Sequence, residues 1–144
     1  MTSSRSVPVA ELDLRGGVPV IEGTLRLAAH ARAAAPDIIQ GWLYHGNLGA
    51  TVARAVQPRR VPLIWGVRQS LPSLDGENAW ARTGIWLGKW LSRLPDRILF
   101  NSQTSLVQHR AFGFHGARMQ YLPNGFDTAR FRPDAQMRAS RRLE

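Results

Sequence analysis

The residues best equipped for chemistry follow three apolar runs. IIQGWL at 38–43 opens onto Tyr44, His45, Gly46 and Asn47, LIWGV at 63–67 opens onto Arg68, and ILF at 98–100 opens onto Asn101 and Ser102. A neutral imidazole such as His45 can hydrogen-bond a hydroxyl or help steer a proton. The bland alternative is a packing residue beside Tyr44 and Trp42. Asn47 could read a hydroxyl, and it is equally the cap of a following helix. Arg68 suits a phosphate through charge-assisted, bidentate hydrogen bonds, or a surface ion pair with Asp75 or Glu77 of little energetic weight. Ser102 also has the position of a helix cap. His30, His109 and His115 have no ligand-like spacing, so no metal site is expected.

These groups need elements to hold them. The run at 38–43 reads as a buried strand ending in a polar turn at 44–47, with weaker copies at 61–67 and 97–101. Ligands of open α/β sheets sit outside the carboxyl ends of the strands, so three polar turns after three buried strands define one rim of a cleft. Around them the expected order is a strand at 7–14, at a sheet edge because of Pro8, and a helix from a Thr24 cap to about Ala34, ended by Pro36. A short helix at 48–56 and an exposed loop at 68–78 follow. The longest helix spans 79–94 behind an Asn78 cap, and a helix at 103–112 runs from Ser102 to Gly113. A strand at 119–122, a sharp turn at 123–127 and the start of a helix after Asp134 complete the chain. Alternating strands and helices call for a mostly parallel sheet of about five strands with helices on its faces.

A chain of 144 residues can build one domain with a real core, and 44% hydrophobic with 20% charged residues is ordinary for a globular protein. No apolar run approaches the ~20 residues of a membrane span. The N-terminal MTSSRSVPVAELDL lacks the apolar stretch of a secretory signal. The absence of cysteine excludes disulfides and thiolate metal sites and fits a cytoplasmic compartment. The net charge is +9, and Lys89 is the one lysine among 19 basic residues. Arginine suits phosphorylated or anionic partners, but the charges are scattered and form no nucleic-acid-binding pattern. No nucleic acid partner is expected.

Four segments in order, PDIIQGWLYHGN, PLIWGVRQS, LPDRILFNSQTS and YLPNGFDTARFRP, resemble the N-terminal domain of family 4 glycosyltransferases over roughly residues 7–140. The last is the most specific, because a Pro-Asn-Gly-x-Asp-x-x-x-Phe-x-Pro run in that family marks the crossing between two Rossmann-like domains. The resemblance implies an incomplete Rossmann-like α/β domain, the N-terminal half of a GT-B architecture lacking segments at both ends. Residues 1–122 would form the acceptor-side domain, and 123–144 the hinge and start of a donor-binding domain. It implies sugar transfer from a nucleotide-sugar to a glycan or lipid-linked acceptor, usually with retention, in glycan or lipopolysaccharide biosynthesis. His45, Asn47, Arg68, Asn101 and Ser102 would line the acceptor side of the cleft, and Asn124, Gly125 and Asp127 would form the hinge. No catalytic residue is assigned. No cofactor is expected on this piece, the nucleotide-sugar being held mainly by the other domain, so the piece is expected to be inactive alone.

A second class is non-catalytic: a basic Rossmann-like module for an anionic membrane surface, a nucleotide or a partner protein. On the helix at 79–94, Trp80, Gly84, Leu87, Leu91 and Leu94 form the expected core face, widened by Trp86 and Trp90. Arg82, Lys89 and Arg93 cluster opposite. Trp86, Lys89, Trp90 and Arg93 could instead lie on an anionic bilayer at the inner face of the membrane.

Overall fold

The structure is a computed structural model that describes residues 8–12 and 20–131. Its elements are α1 (Val20–Ala34), β1 (Ile39–Trp42), α2 (Leu43–Ala55), β2 (Leu63–Val67), α3 (Ala79–Leu91), β3 (Arg97–Phe100), α4 (Gln103–Phe112), a 3-10 turn at Gly116–Arg118 and β4 (Met119–Tyr121). The four strands form one sheet in the order β1-β2-β3-β4, and every pair is parallel. The register sets Gly41 beside Trp65 and Trp65 beside Ile98.

Alternation along the strands sends Leu63, Trp65, Val67, Ile98 and Phe100 to one face. There they pack with Tyr44 and Ala50 of α2, Ile85 of α3 and Phe114. A strand order that advances one place at a time in one direction puts right-handed crossover helices on the same face, and α2, α3 and α4 meet in this one core. The opposite face is more open. Trp42 is exposed there, and Ile64 and Leu99 are half-buried. Among the described residues the sheet has four strands rather than about five, and α2, α3 and α4 cover one of its faces. Residues 8–12 of the expected first strand have no regular structure. The rest of that strand, and the helix after Asp134, lie outside the described residues.

The sharpest departure from expectation is at the end of β1. Residues 44–47 are not a turn but the opening of α2, which starts directly at Leu43. Leu43 takes a left-handed φ of 61°, a conformation rare outside glycine and asparagine, and this reverses the chain within one residue. Gly41 makes room for the reversal, because a Cβ there would stand 2.6 Å from the Asn47 Cα. Thr24 likewise lies inside a helix, since α1 begins at Val20.

Cap chemistry set other boundaries as expected. The Asn78 side chain accepts from the Ala81 N–H at 2.8 Å. Ser102 accepts from the Ser105 N–H at the start of α4, and Gly113 ends that helix with φ 107°. The core face of α3 is only partly the expected one: Gly84 is buried and Leu91 packs against the core as expected. Gly84, Ile85 and Gly88 are buried, whereas Trp80, Leu87 and Trp90 are exposed. Two glycines let the helix lie close on the core, and a Cβ on Gly88 would already touch the Phe114 ring at 3.3 Å.

Candidate functional site at the strand carboxyl ends

Parallel strands bring their carboxyl ends to one rim, and Arg68 stands at its centre. It follows β2 on the open face of the sheet, half-buried. Its guanidinium carbon lies 4.6 Å from the Trp42 ring centroid, a cation–π contact with the end of β1. Its Nη1 donates to Asn124 Oδ1, beyond the end of β4. No acid pairs with Arg68 among the described residues, so the alternative partners Asp75 and Glu77 leave it free. Its Nε is buried with no hydrogen-bond partner. A buried donor without a partner is costly. Here it belongs to a cation held by one aromatic face and one amide.

The segment after Arg68 is anchored rather than wholly exposed. Leu71 is buried, and its N–H donates to Gln108 Oε1 at 2.9 Å. The Gln69 carbonyl accepts from Ser105 Oγ at 2.7 Å. Both partners lie on α4, which fixes the chain on either side of Ser70.

The other candidates separate. His45 is exposed on the first turn of α2, where its ring stacks on Trp80 of α3 at 5.2 Å and 8° between planes. It makes no contact with Arg68, Asn101 or Asn124. Asn47 is buried inside α2 and caps nothing. Its Oδ1 accepts from the Gly66 N–H at 3.2 Å, and its Nδ2 donates to the Gly66 carbonyl at 3.4 Å. The side chain thus reinforces the last rung between β1 and β2, where Gly66 lies beside Trp42, and both of its polar ends are occupied. Asn101 is half-buried at the end of β3. Ser102 is engaged as the α4 cap. Neither Asn124 nor Gly125 takes a left-handed φ. The turn falls after them, where Asp127 Oδ1 accepts from the N–H groups of Ala129 and Arg130 at 3.1 and 3.0 Å.

One polar cluster escaped the sequence reading. His109 is fully buried and its Nε2 lies 2.6 Å from the Tyr44 hydroxyl, while its Nδ1 lies 2.7 Å from the Ser105 carbonyl. A carbonyl can only accept, so Nδ1 carries the proton, Nε2 accepts, and the tyrosine donates. Burial pushes the His109 pKa below its ordinary value, against the Ser105 hydrogen bond. Burial also raises Tyr44 to about 12, against a hydrogen bond from Gln69. Both groups stay neutral, as a core pair should. The spacing of Ser105 and His109, four residues apart on α4, was the available signal.

A separate cavity of about 540 Å³ opens at the amino ends of β2 and β3, away from this rim, lined by Arg54, Arg59, Arg60, Arg93, Arg118 and Asp96 among others. The Asp96 carboxylate accepts from the Leu63 N–H at 2.9 Å and from Arg60 at 3.0 Å. The Leu63 hydrogen bond first, then Arg60 and Arg54, hold its pKa below the usual carboxylate range.

A Rossmann-like parallel α/β domain with its polar residues at the strand carboxyl ends is the class that the fold defines. The sequence matches Glycosyltransferase Family 4 over residues 5–130, and the chain belongs to that family. Among solved structures it is similar to Anabaena HepE, crystallised in complex with UDP and glucose, with a TM-score of 0.65 and 19% identity. The match covers 81% of this chain and 31% of HepE, so the chain spans under a third of that protein's length. This likeness gives the fold, a GT-B glycosyltransferase domain. No curated protein matches the sequence.

Proposed function

We propose that this chain forms the acceptor-side wall of a retaining, cytoplasmic glycosyltransferase that draws a hexosyl group from a nucleotide-sugar. The observation that carries the reading is Arg68, a half-buried guanidinium without an acid partner, placed at the strand-end rim by Trp42 and Asn124. In such a transfer the bond from the anomeric carbon to the diphosphate breaks with its electrons on the diphosphate, the acceptor oxygen bonds that carbon, and the acceptor proton passes to the departing diphosphate. Charge builds on the departing diphosphate, so a fixed cation and a closely held acceptor hydroxyl are the main needs. Arg68 meets the first need, for a donor phosphate or a phosphorylated acceptor. Asn101, half-buried at the end of β3, and the exposed His45 are groups of a type that could read a hydroxyl. HepE was crystallised with UDP and glucose, which supports a nucleotide-sugar as the donor class.

Residues 1–122 are the acceptor-side domain in this reading, and the chain from Pro123 leads out of it as the hinge, through Asn124, Gly125 and Asp127. A donor-binding domain would supply the facing wall of the cleft and most of the nucleotide contacts. The 144-residue chain alone is then inactive. Fusing it to the donor-binding domain of a family 4 enzyme and offering a panel of nucleotide-sugars tests the reading. Transfer by the fusion and none by the chain alone is expected. Transfer by the chain alone, or a folded fusion inactive with every donor and acceptor, would overturn it.

A further inference from the structure

We infer that the free face of the Trp80 indole, backed by His45, receives the ring of a neutral pyranoside. That this sugar belongs to the acceptor rests on the transferase reading; that it binds does not. His45 is the third residue of α2 and Trp80 the second of α3, so both stand on the first turn of a helix entered from the strand carboxyl ends. Their ring centroids lie 5.2 Å apart with the planes 8° from parallel. His45 can seat there because Gly84, one turn along α3 from Trp80, has no side chain: a Cβ would stand 3.2 Å from His45 Nε2. The imidazole therefore covers and orients one face of the indole. Trp80 is still 62% exposed, which leaves its second face to solvent. Trp90 is more exposed, at 71%, but no ring backs it among the described residues.

A flat aromatic face bordered by polar groups suits a sugar ring. The C–H bonds on one side of a pyranose are weakly positive and meet the negative π-face of an aromatic ring, while the hydroxyls radiate outwards to hydrogen-bond partners. Two kinds of partner are at hand. The His45 ring is exposed and makes no hydrogen bond among the described residues, so one nitrogen can donate to a hydroxyl and the other accept. Asp75 and Glu77 lie just before α3 and form no ion pair among the described residues. A free carboxylate accepts from two neighbouring hydroxyls. The same acids disfavour an anionic ligand, and Arg82 projects about 200° away from Trp80 around α3. The stack also belongs to the rim that carries Arg68. Tyr44, next to His45, takes a hydrogen bond from Gln69, next to Arg68. A sugar on Trp80 and a phosphate on Arg68 would thus share one rim, from the helix-covered and the open side of the sheet.

Saturation-transfer difference NMR of the 144-residue chain with methyl β-glucopyranoside, methyl β-galactopyranoside and methyl α-mannopyranoside tests the inference. Saturation of at least one glycoside is expected, strongest on the protons of one ring face. Trp80→Leu keeps an apolar side chain but no ring, and it should lower the signal at least about fivefold with far-UV circular dichroism unchanged. His45→Ala should lower it as well, and Trp90→Ala should not. In the fusion to a donor-binding domain, Trp80→Leu should raise KM for the acceptor about tenfold and leave KM for the nucleotide-sugar within about twofold. No saturation of any glycoside, or wild-type saturation in the folded Trp80→Leu chain, would overturn the proposal and leave the stack as a brace between α2 and α3. The two readings fail separately. An active fusion with unchanged acceptor KM in Trp80→Leu strikes the platform and keeps the transferase, whereas saturation of the chain with an inactive fusion strikes the transferase and keeps the sugar site.

Discussion

Asn47 bonds both backbone polar groups of Gly66, receiving its N–H on Oδ1 and giving its own Nδ2 to the carbonyl. The chain leaves the sheet at Leu43, one residue after β1, and β2 continues to Val67. Gly66 is the last residue of β2 in register with β1, beside Trp42, and Asn47 adds a pair of side-chain hydrogen bonds at that end of the ladder. Asn47→Leu removes both side-chain bonds to Gly66, at a cost of about 0.5–1.5 kcal/mol for each bond lost. Urea unfolding should show a lower midpoint with unchanged slope. Asn47→Asp should cost less, because the acceptor for the Gly66 N–H survives.

Gly41→Ala should be at least as damaging. The added Cβ would stand 2.6 Å from the Asn47 Cα and 2.7 Å from the Gly46 carbonyl oxygen. Backbone cannot swing aside like a flexible side chain, so α2 must lift from the strand end. A loss of about 2 kcal/mol or more is expected by thermal unfolding. Gly46→Ala is the control, since nothing lies within 4 Å of a Cβ there, and it should be close to neutral or mildly stabilising.

The Tyr44–His109 pair should mark both limbs of the pH–stability profile. The folded pKa of His109 is depressed. Its contribution is complete above the unfolded value of about 6.5 and is lost as pH falls below it, because the unfolded chain takes up the proton first. Tyr44 is raised to about 12. Its contribution is complete below the unfolded value of about 10 and is lost as pH rises through the folded one. His109→Leu with Tyr44→Phe should flatten the profile just below about pH 6.5 and above about pH 10. Asp96 is also depressed, but it acts below the unfolded carboxylate value near 3.9, so its limb remains.

How much of this was visible in the sequence depended on whether side chains or backbone set the feature. Ser102, Asn78 and Gly113 announced the ends of α3 and α4 because capping is local chemistry. The strands β2 and β3 were visible as short apolar runs between turn signals. The start of α2 was hidden because Leu43 adopts a left-handed φ with no glycine or asparagine to signal it, and because the permissive residue, Gly41, lies two positions earlier. The face of α3 was only partly legible, since its contact stripe is Gly84, Ile85 and Gly88, whereas large apolar groups normally mark the buried side. For the candidate site, Arg68 was legible as a cation after a buried strand. Its hold on Trp42 and Asn124 joins positions 26 and 56 residues away, which no local pattern encodes.

The Trp42 face should be part of the anchor. Trp42→Ala removes the ring beneath the Arg68 guanidinium at an exposed site, where such a contact is worth about 0.5–1 kcal/mol. Stability should fall by little more than that. In the fusion carrying a donor-binding domain, the loss of transfer should be several-fold and smaller than for any change at Arg68.

The most direct measurement is steady-state kinetics of Arg68→Gln and Arg68→Lys in that fusion, with the nucleotide-sugar varied. A charge-assisted contact to phosphate is worth about 1.5–3 kcal/mol, so kcat/KM for Arg68→Gln should fall roughly 10- to 100-fold, while stability falls by little more than the worth of the Trp42 contact, about 0.5–1 kcal/mol. Arg68→Lys should recover part of the loss, since it restores the charge without the planar fork. Unchanged kinetics in a folded Arg68→Gln fusion would contradict the account, because the cation at the strand-end rim would then have no role in transfer.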